Sequence, residues 1–201
     1  MMKTCLSTLT CWAILLFWPS FVAAQKVTNV TLQWNFQPIP STPCQTGAAC
    51  QQAPLADGSV LMFDGGTRRT WIFRVGNNRT NATAGQWTVL PSTNIAPSAR
   101  RDFAMASLEE GKVVLFGGRD GNSQVLGDTW VFDARKTEWA LIDVPPNTKE
   151  PSGRWHHAMA SLGGGKVVLF GGSTNSQYLG DTWVFDARNT GWASIDIPSN
   201  A

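Results

Sequence analysis

Few residues in this 201-residue chain can do chemistry. Its two histidines, His156 and His157, are adjacent, and on a strand they would point to opposite faces, so they cannot ligate one metal together. His156 is read as exposed. A zinc site takes at least three Cys, His or carboxylate ligands, and nothing here is spaced for that. There is no Gly-x-Ser-x-Gly elbow, no phosphate-cradling loop and no His-Glu-x-x-His motif. The sequence therefore predicts no catalytic residue, no metal and no cofactor. What remains is polar loop chemistry. Arg119, Asp120 and Asn122 lie in one Gly/Asn/Ser stretch, Asn175, Gln177 and Tyr178 in a second, and Arg68 and Arg69 in a short basic third. Amides, hydroxyls and an aromatic ring suit hydrogen bonding to a sugar or a peptide, and equally make ordinary solvated turns.

The elements that carry these loops are set by an internal repeat. Pro97-Ser98-Ala99-Arg100 recurs as Pro151-Ser152-Gly153-Arg154, and Gly111-Lys-Val-Val-Leu-Phe-Gly-Gly118 recurs as Gly165-Lys-Val-Val-Leu-Phe-Gly-Gly172, both 54 residues on. Leu126-Gly-Asp-Thr-Trp-Val-Phe-Asp-Ala-Arg135 recurs 53 residues on, ending at Arg188. A diverged copy lies upstream, in Gly58-Ser-Val-Leu-Met-Phe-Asp-Gly65 and Thr70-Trp-Ile-Phe73. Trp34, Trp87, Trp139 and Trp192 run at spacings of 53, 52 and 53. Each unit parses into four short strands; in the middle copy these are Ala104–Leu108, Val113–Phe116, Thr129–Asp133 and one starting at Trp139. Four strands every ~50 residues is the signature of a propeller blade.

These residues resemble the kelch repeat. Arg154, His157, Gly171, Gly172, Asp181, Trp183 and Trp192 match it in full. In the middle copy Phe103 replaces the histidine, while Arg100, Gly117, Gly118, Asp128, Trp130 and Trp139 match. The first copy lacks both the arginine and the third-strand aspartate. The resemblance implies an all-β, kelch-type β-propeller of about three four-stranded blades plus one extra strand at Val27–Pro40, an incomplete ring. The position that His157 takes is then structural, the glycines serve turns, the tryptophans fill the space between blades, and Asp128 and Asp181 take turn amides or pair with Arg100 or Arg154. Arg100, Arg101 and Arg154 would start innermost strands, facing a central channel or held by local aspartates. The copper chemistry of galactose oxidase, which shares this repeat type, needs two tyrosines and a free cysteine. Tyr178 is the single tyrosine here.

Composition bounds the rest. Apolar residues make up 43% and charged residues 15%, against roughly 25% charged in an average soluble domain. A net charge of +2 offers no basic field for nucleic acid. Met1–Ala24 reads as a secretory signal, because its apolar run is short of the ~20 residues a membrane span needs and contains Pro19. Of the cysteines beyond it, Cys44 and Cys50 fit a local disulfide in an oxidising compartment; a metal pair competes, without a histidine nearby. Asn29, Asn78 and Asn81 head glycosylation sequons. The expected organisation is a signal at 1–24, an N-terminal strand and cysteine loop at 25–57, and blades at 47–93, 97–146 and 151–198. Three blades span at most half a ring, so the chain is expected either as part of a longer propeller or as a homodimer completing one. The former is favoured, since the strand at Trp34 duplicates what Trp192 supplies. The expected function is a secreted, non-catalytic module that binds a protein or glycan through rim loops, with no membrane span after signal cleavage. The alternative is a fragment of a carbohydrate-active propeller enzyme.

Overall fold

The computed structural model describes Cys44 and residues 49–75, 85–144 and 148–196. The expected signal, the Trp34 strand and the sequon residues Asn29, Asn78 and Asn81 lie outside the described residues. Every regular element described is a strand. The first sheet comprises β1 (Cys50–Pro54), β2 (Val60–Asp64), β3 (Arg69–Val75) and β4 (Gly85–Val89). The second comprises β5 (Ala104–Ser107), β6 (Lys112–Arg119), β7 (Val125–Asp133) and β8 (Glu138–Leu141). The third comprises β9 (Ala158–Gly163), β10 (Lys166–Phe170), β11 (Thr182–Asp186) and β12 (Gly191–Ile195). Each is an antiparallel meander in chain order, and β5 lies against both β1 and β9. The first strands thus adjoin one another, and the sheets stack as propeller blades. A disulfide joins Cys44 to Cys50 at the start of β1.

The turns explain several repeated residues. Glu110 and Gly111 both take positive φ, 59° and 72°, in the turn that Lys112 closes by donating its amide to Glu109 O at 3.2 Å. Asp133 and Asp186, which close the repeated Trp-Val-Phe-Asp segment, accept the amides of Arg135 at 2.9 Å and Arg188 at 3.0 Å. β7 starts at Val125 rather than at Thr129. Beyond an irregularity at Phe116/Gly118, Leu126 and Val125 pair with Gly118 and Arg119, a register set by neighbouring backbone rather than by side-chain type.

Two apolar clusters glue the sheets together. Leu61, Phe63 and Ile72 of the first sheet meet Phe103, Leu115, Phe132 and Trp139 of the second. Val114 and Phe116 of the second meet Val167, Leu169, Phe185 and Trp192 of the third. In both, the fourth-strand tryptophan is the wedge. Trp139 lies 5.2 Å from Phe132 of its own sheet and 5.4 Å from Phe63 of the preceding one. Trp192 repeats this with Phe185 at 5.3 Å and Phe116 at 5.2 Å. Each indole N–H donates across the joint, Trp139 to Thr70 Oγ1 and Trp192 to Thr129 Oγ1, both at 2.9 Å.

Arg100 and Arg154 are fully buried and do not face a channel. The Arg100 guanidinium is bidentate to Asp128 at 2.7 Å and 2.7 Å, and donates to the carbonyls of Gly117 and Ser98. Arg154 repeats this with Asp181 at 2.6 Å and 2.9 Å, and with Gly171 and Ser152. Each aspartate also accepts an indole N–H at 2.6 Å, from Trp130 or Trp183. Hydrogen bonds from Arg154 hold the Asp181 carboxyl down at about 2. Burial pushes Asp128 the other way, but the bonds and charge of Arg100 outweigh it and its pKa is also lowered. In the first sheet Arg69 stands in place of this aspartate, and Trp71 Nε1 is buried without a partner.

His157 is buried against Phe116, rings 5.6 Å apart, where the second repeat has Phe103. Burial, then the charge of Arg154, lowers its pKa from 6.5 to about 4. The unfolded chain therefore takes up this proton first as pH falls, so the stability His157 contributes at neutral pH is lost between pH 6.5 and pH 4. The loss is about 3 kcal/mol by pH 4. His157→Phe, which copies the second repeat, should flatten that slope in urea titrations at pH 7 and pH 4.5. Thr129→Val should cost about 1–3 kcal/mol in the same assay, because it orphans the buried Trp192 N–H.

Candidate functional site

Just before β5 and β9 the chain runs through Arg101-Asp102 and Trp155-His156, two neighbouring positions at which the near-identical repeats differ in chemistry. The backbone there is tied to the ends of the second strands. Arg101 and Arg119 exchange both N–H···O bonds at 2.8 Å, Trp155 and Ser173 do so at 3.0 and 2.8 Å, and the His156 amide donates to Asp102 O at 3.0 Å. Asp102 and His156 both sit in left-handed backbone, φ 58° and 54°, a conformation that disfavours residues with a Cβ.

Their side chains form one network. Asp102 Oδ2 accepts from Arg119 Nη2 at 2.7 Å and Nε at 3.2 Å, while Oδ1 lies 3.3 Å from His156 Nε2. The Arg119 guanidinium stacks 3.8 Å above the Trp155 ring, which lies 4.3 Å from the His156 ring. Arg101 reaches Ser123 Oγ at 3.3 Å. Two clefts flank the network. One of about 300 Å³ is lined by Ala49, Gln51, Asp102, Phe103, His156 and His157. The other, of about 270 Å³, takes in Ala49, Gly65, Arg101, Arg119 and Asp120. Two arginines and a histidine stand against Asp102 and Asp120, and Asp120 Oδ1 is taken by the amides of its own loop, so the face presents more donors than acceptors.

Of the loop residues expected to bind, only Arg119 enters the network. Asp120 braces its own loop, its Oδ1 accepting the Asn122 and Gln124 amides at 2.9 and 2.8 Å. Asn122 is exposed beside it. Asn175, Gln177 and Tyr178 stand out on the β10–β11 connection, Tyr178 being 93% exposed. Arg68 donates to Pro97 O at 3.2 Å and lines a separate cavity with Leu90, Asn94 and Trp139. Arg69 is exposed at the start of β3. Among the kelch-matching residues, Gly117 and Gly118 turn at φ 66° and 102°, and Gly171 and Gly172 at 66° and 98°. A Cβ at Gly117 would come within 2.5 Å of Arg154 O. Asp102 and Trp155 were not anticipated from their own types. The legible signal was their pairing across the repeat, Arg101 against Trp155 and Asp102 against His156, between stretches that are otherwise nearly the same. Among the described residues no three His, Cys, Asp or Glu side chains come together as a metal site, and no helix is long and apolar enough to cross a membrane.

A model of the KLHDC2/KLHL20/DRC7 Kelch-repeats domain matches residues 51–201. Adagio protein 3 of Arabidopsis thaliana is 32% identical over 126 residues, 61% of this chain and 20% of that protein. Kelch domain-containing protein 2 of Bos taurus is 32% identical over 96 residues, covering 48% of this chain and 23% of that one. The chain thus spans about a quarter or less of the curated relatives it matches. The solved structure of YjhT superposes with a TM-score of 0.54 at 16% identity, over 80% of this chain and 54% of that one.

The left-handed backbone yields a test of what His156 is for. A residue kept only for stability would be weakened by glycine at that position. Relief of about 1–2 kcal/mol of backbone strain exceeds the less than about 1 kcal/mol of a partly exposed His156–Asp102 contact. His156→Gly should therefore raise the urea midpoint, while removing the imidazole from the network.

Proposed function

The chain belongs to the kelch-repeat family, and from that premise we propose that it is a secreted, non-catalytic interaction module that holds a protein partner on the face built around Asp102, Arg119, Trp155 and His156. The observation that carries this reading is the strained pair Asp102 and His156. Both sit where repeats built for stacking have no packing reason to differ, and both point their polar groups into a cleft-flanked network. A protein surface suits this face because its donors, in Arg101, Arg119 and His156, complement carboxylates and carbonyls. The arrangement is preorganised: Arg119 is fixed by Asp102 on one side and the Trp155 ring on the other, so little side-chain freedom is lost on binding.

Secretion is supported by the Cys44–Cys50 disulfide, since such bonds persist in oxidising compartments, together with the signal-like Met1–Ala24. A glycan ligand is favoured by one separate feature, the fully presented Tyr178 ring beside Asn175 and Gln177. The two surfaces distinguish the readings.

The test immobilises the purified chain, exposes it to proteins of its own culture medium and, in parallel, to an array of glycans. A defined protein should be retained by the wild type and bound at least tenfold more weakly by an Arg119→Ala, His156→Ala double variant whose circular dichroism is unchanged. Retention that ignores the double variant, or glycan binding lost in Tyr178→Ala, would overturn the protein reading.

A further inference from the structure

The two joints between sheets define what a third must look like. In each, the following sheet's fourth-strand tryptophan lies against a second-strand phenylalanine and donates to the threonine beside the third-strand tryptophan, Phe63 with Thr70 and Phe116 with Thr129. The third sheet carries the same pair, Phe170 and Thr182, and no described residue fills it. Phe63 and Phe116 are 0% exposed, whereas Phe170 is 55% exposed. Thr182 Oγ1 is buried and has no hydrogen-bond partner among the described residues. Around them the residues that would meet a next sheet are open. Leu162 and Ile195 are exposed, where their counterparts Leu108 and Ile142 pack into the second joint. A cavity of about 600 Å³ is lined by Leu162, Val184 and Ile195 among others.

The other end of the chain carries the matching part. Trp87 on β4 pairs with Phe73 in the same register that places Trp139 opposite Phe132 and Trp192 opposite Phe185, and its ring lies 5.2 Å from that of Phe73. Among the described residues no sheet precedes the first for Trp87 to reach. Among the described residues, then, the third sheet holds an open socket and the first sheet the wedge that fits it.

We propose that the open face of the third sheet is the docking surface for the first sheet of a second copy of this chain, with Trp87 of that copy against Phe170 and donating to Thr182. A contact between unlike ends either closes or runs on as a filament. Two three-sheet arcs make six blades, within the four to eight over which propellers close. The joint then repeats twice in the assembly, once in each direction.

The experiment measures mass in solution by light scattering after size exclusion, on the full chain and its variants. The wild type should run at twice the mass of one chain, and Phe170→Asp and Trp87→Ala each at one. An equimolar mixture of those two variants should regain a two-chain species, because one of its two joints is intact. Thr182→Val, which keeps the fold, should weaken dimerisation by about tenfold. A one-chain mass for the wild type, a dimer that Phe170→Asp leaves intact, or an open series of larger species would each overturn the proposal.

Discussion

The indole of the fourth-strand tryptophan is the interaction on which the stack depends. It is large enough to fill the wedge between two splayed sheets, and its single N–H must find an acceptor once buried. A phenylalanine of its own sheet and one of the sheet before supply the walls, and a threonine supplies the acceptor. Apolar contact alone would let adjoining sheets slide. A buried directional hydrogen bond fixes one register, since a slip leaves both donor and acceptor unpaired in a low dielectric. This is why Thr-Trp and the second-strand phenylalanine are retained in all three repeats while the loops between them drift.

The buried arginines solve a different problem. The segment leading into each first strand runs close to the glycine turn of its own sheet, where Arg154 and Gly171 or Arg100 and Gly117 come together. A buried guanidinium is costly unless its donors are occupied. Here they are shared among both oxygens of one aspartate, two carbonyls and a serine hydroxyl. With the strand start pinned by its arginine, the next two residues are relieved of structural duty. Those are the positions occupied by Arg101-Asp102 in one repeat and Trp155-His156 in the next.

The architecture was legible because it is periodic. A motif present three times at ~50-residue spacing names its own structural positions, and the Arg–Asp pairing, the buried His157 and the exposed His156 follow from them. The start of β7 was not legible, because Val125–Asp128 extends the strand through backbone pairing with Gly118 and Arg119 and not through β-forming side chains. The binding face was legible only in part. Loop composition pointed to Arg119, yet it also pointed to Asp120, which the loop itself consumes, and to Arg68, which lies in another cavity. The contact of Asp102 with both Arg119 and His156 joins residues 17 and 54 positions apart in the chain. No local pattern encodes such a meeting; it depends on how two sheets are set side by side.

The chain-order meander within each sheet has a consequence for how the molecule comes apart. Every described strand pairs with its sequence neighbour, and the second sheet meets the first through one apolar cluster and the third through another. Cohesion is then a sum of intrinsic and nearest-neighbour terms, as in a one-dimensional lattice of coupled units. In such a lattice the interior unit is held from both sides and the terminal unit from one. Among the described sheets β5–β8 is the interior unit, so a change in either neighbour reaches it directly, through the Trp139 joint on one side and the Trp192 joint on the other.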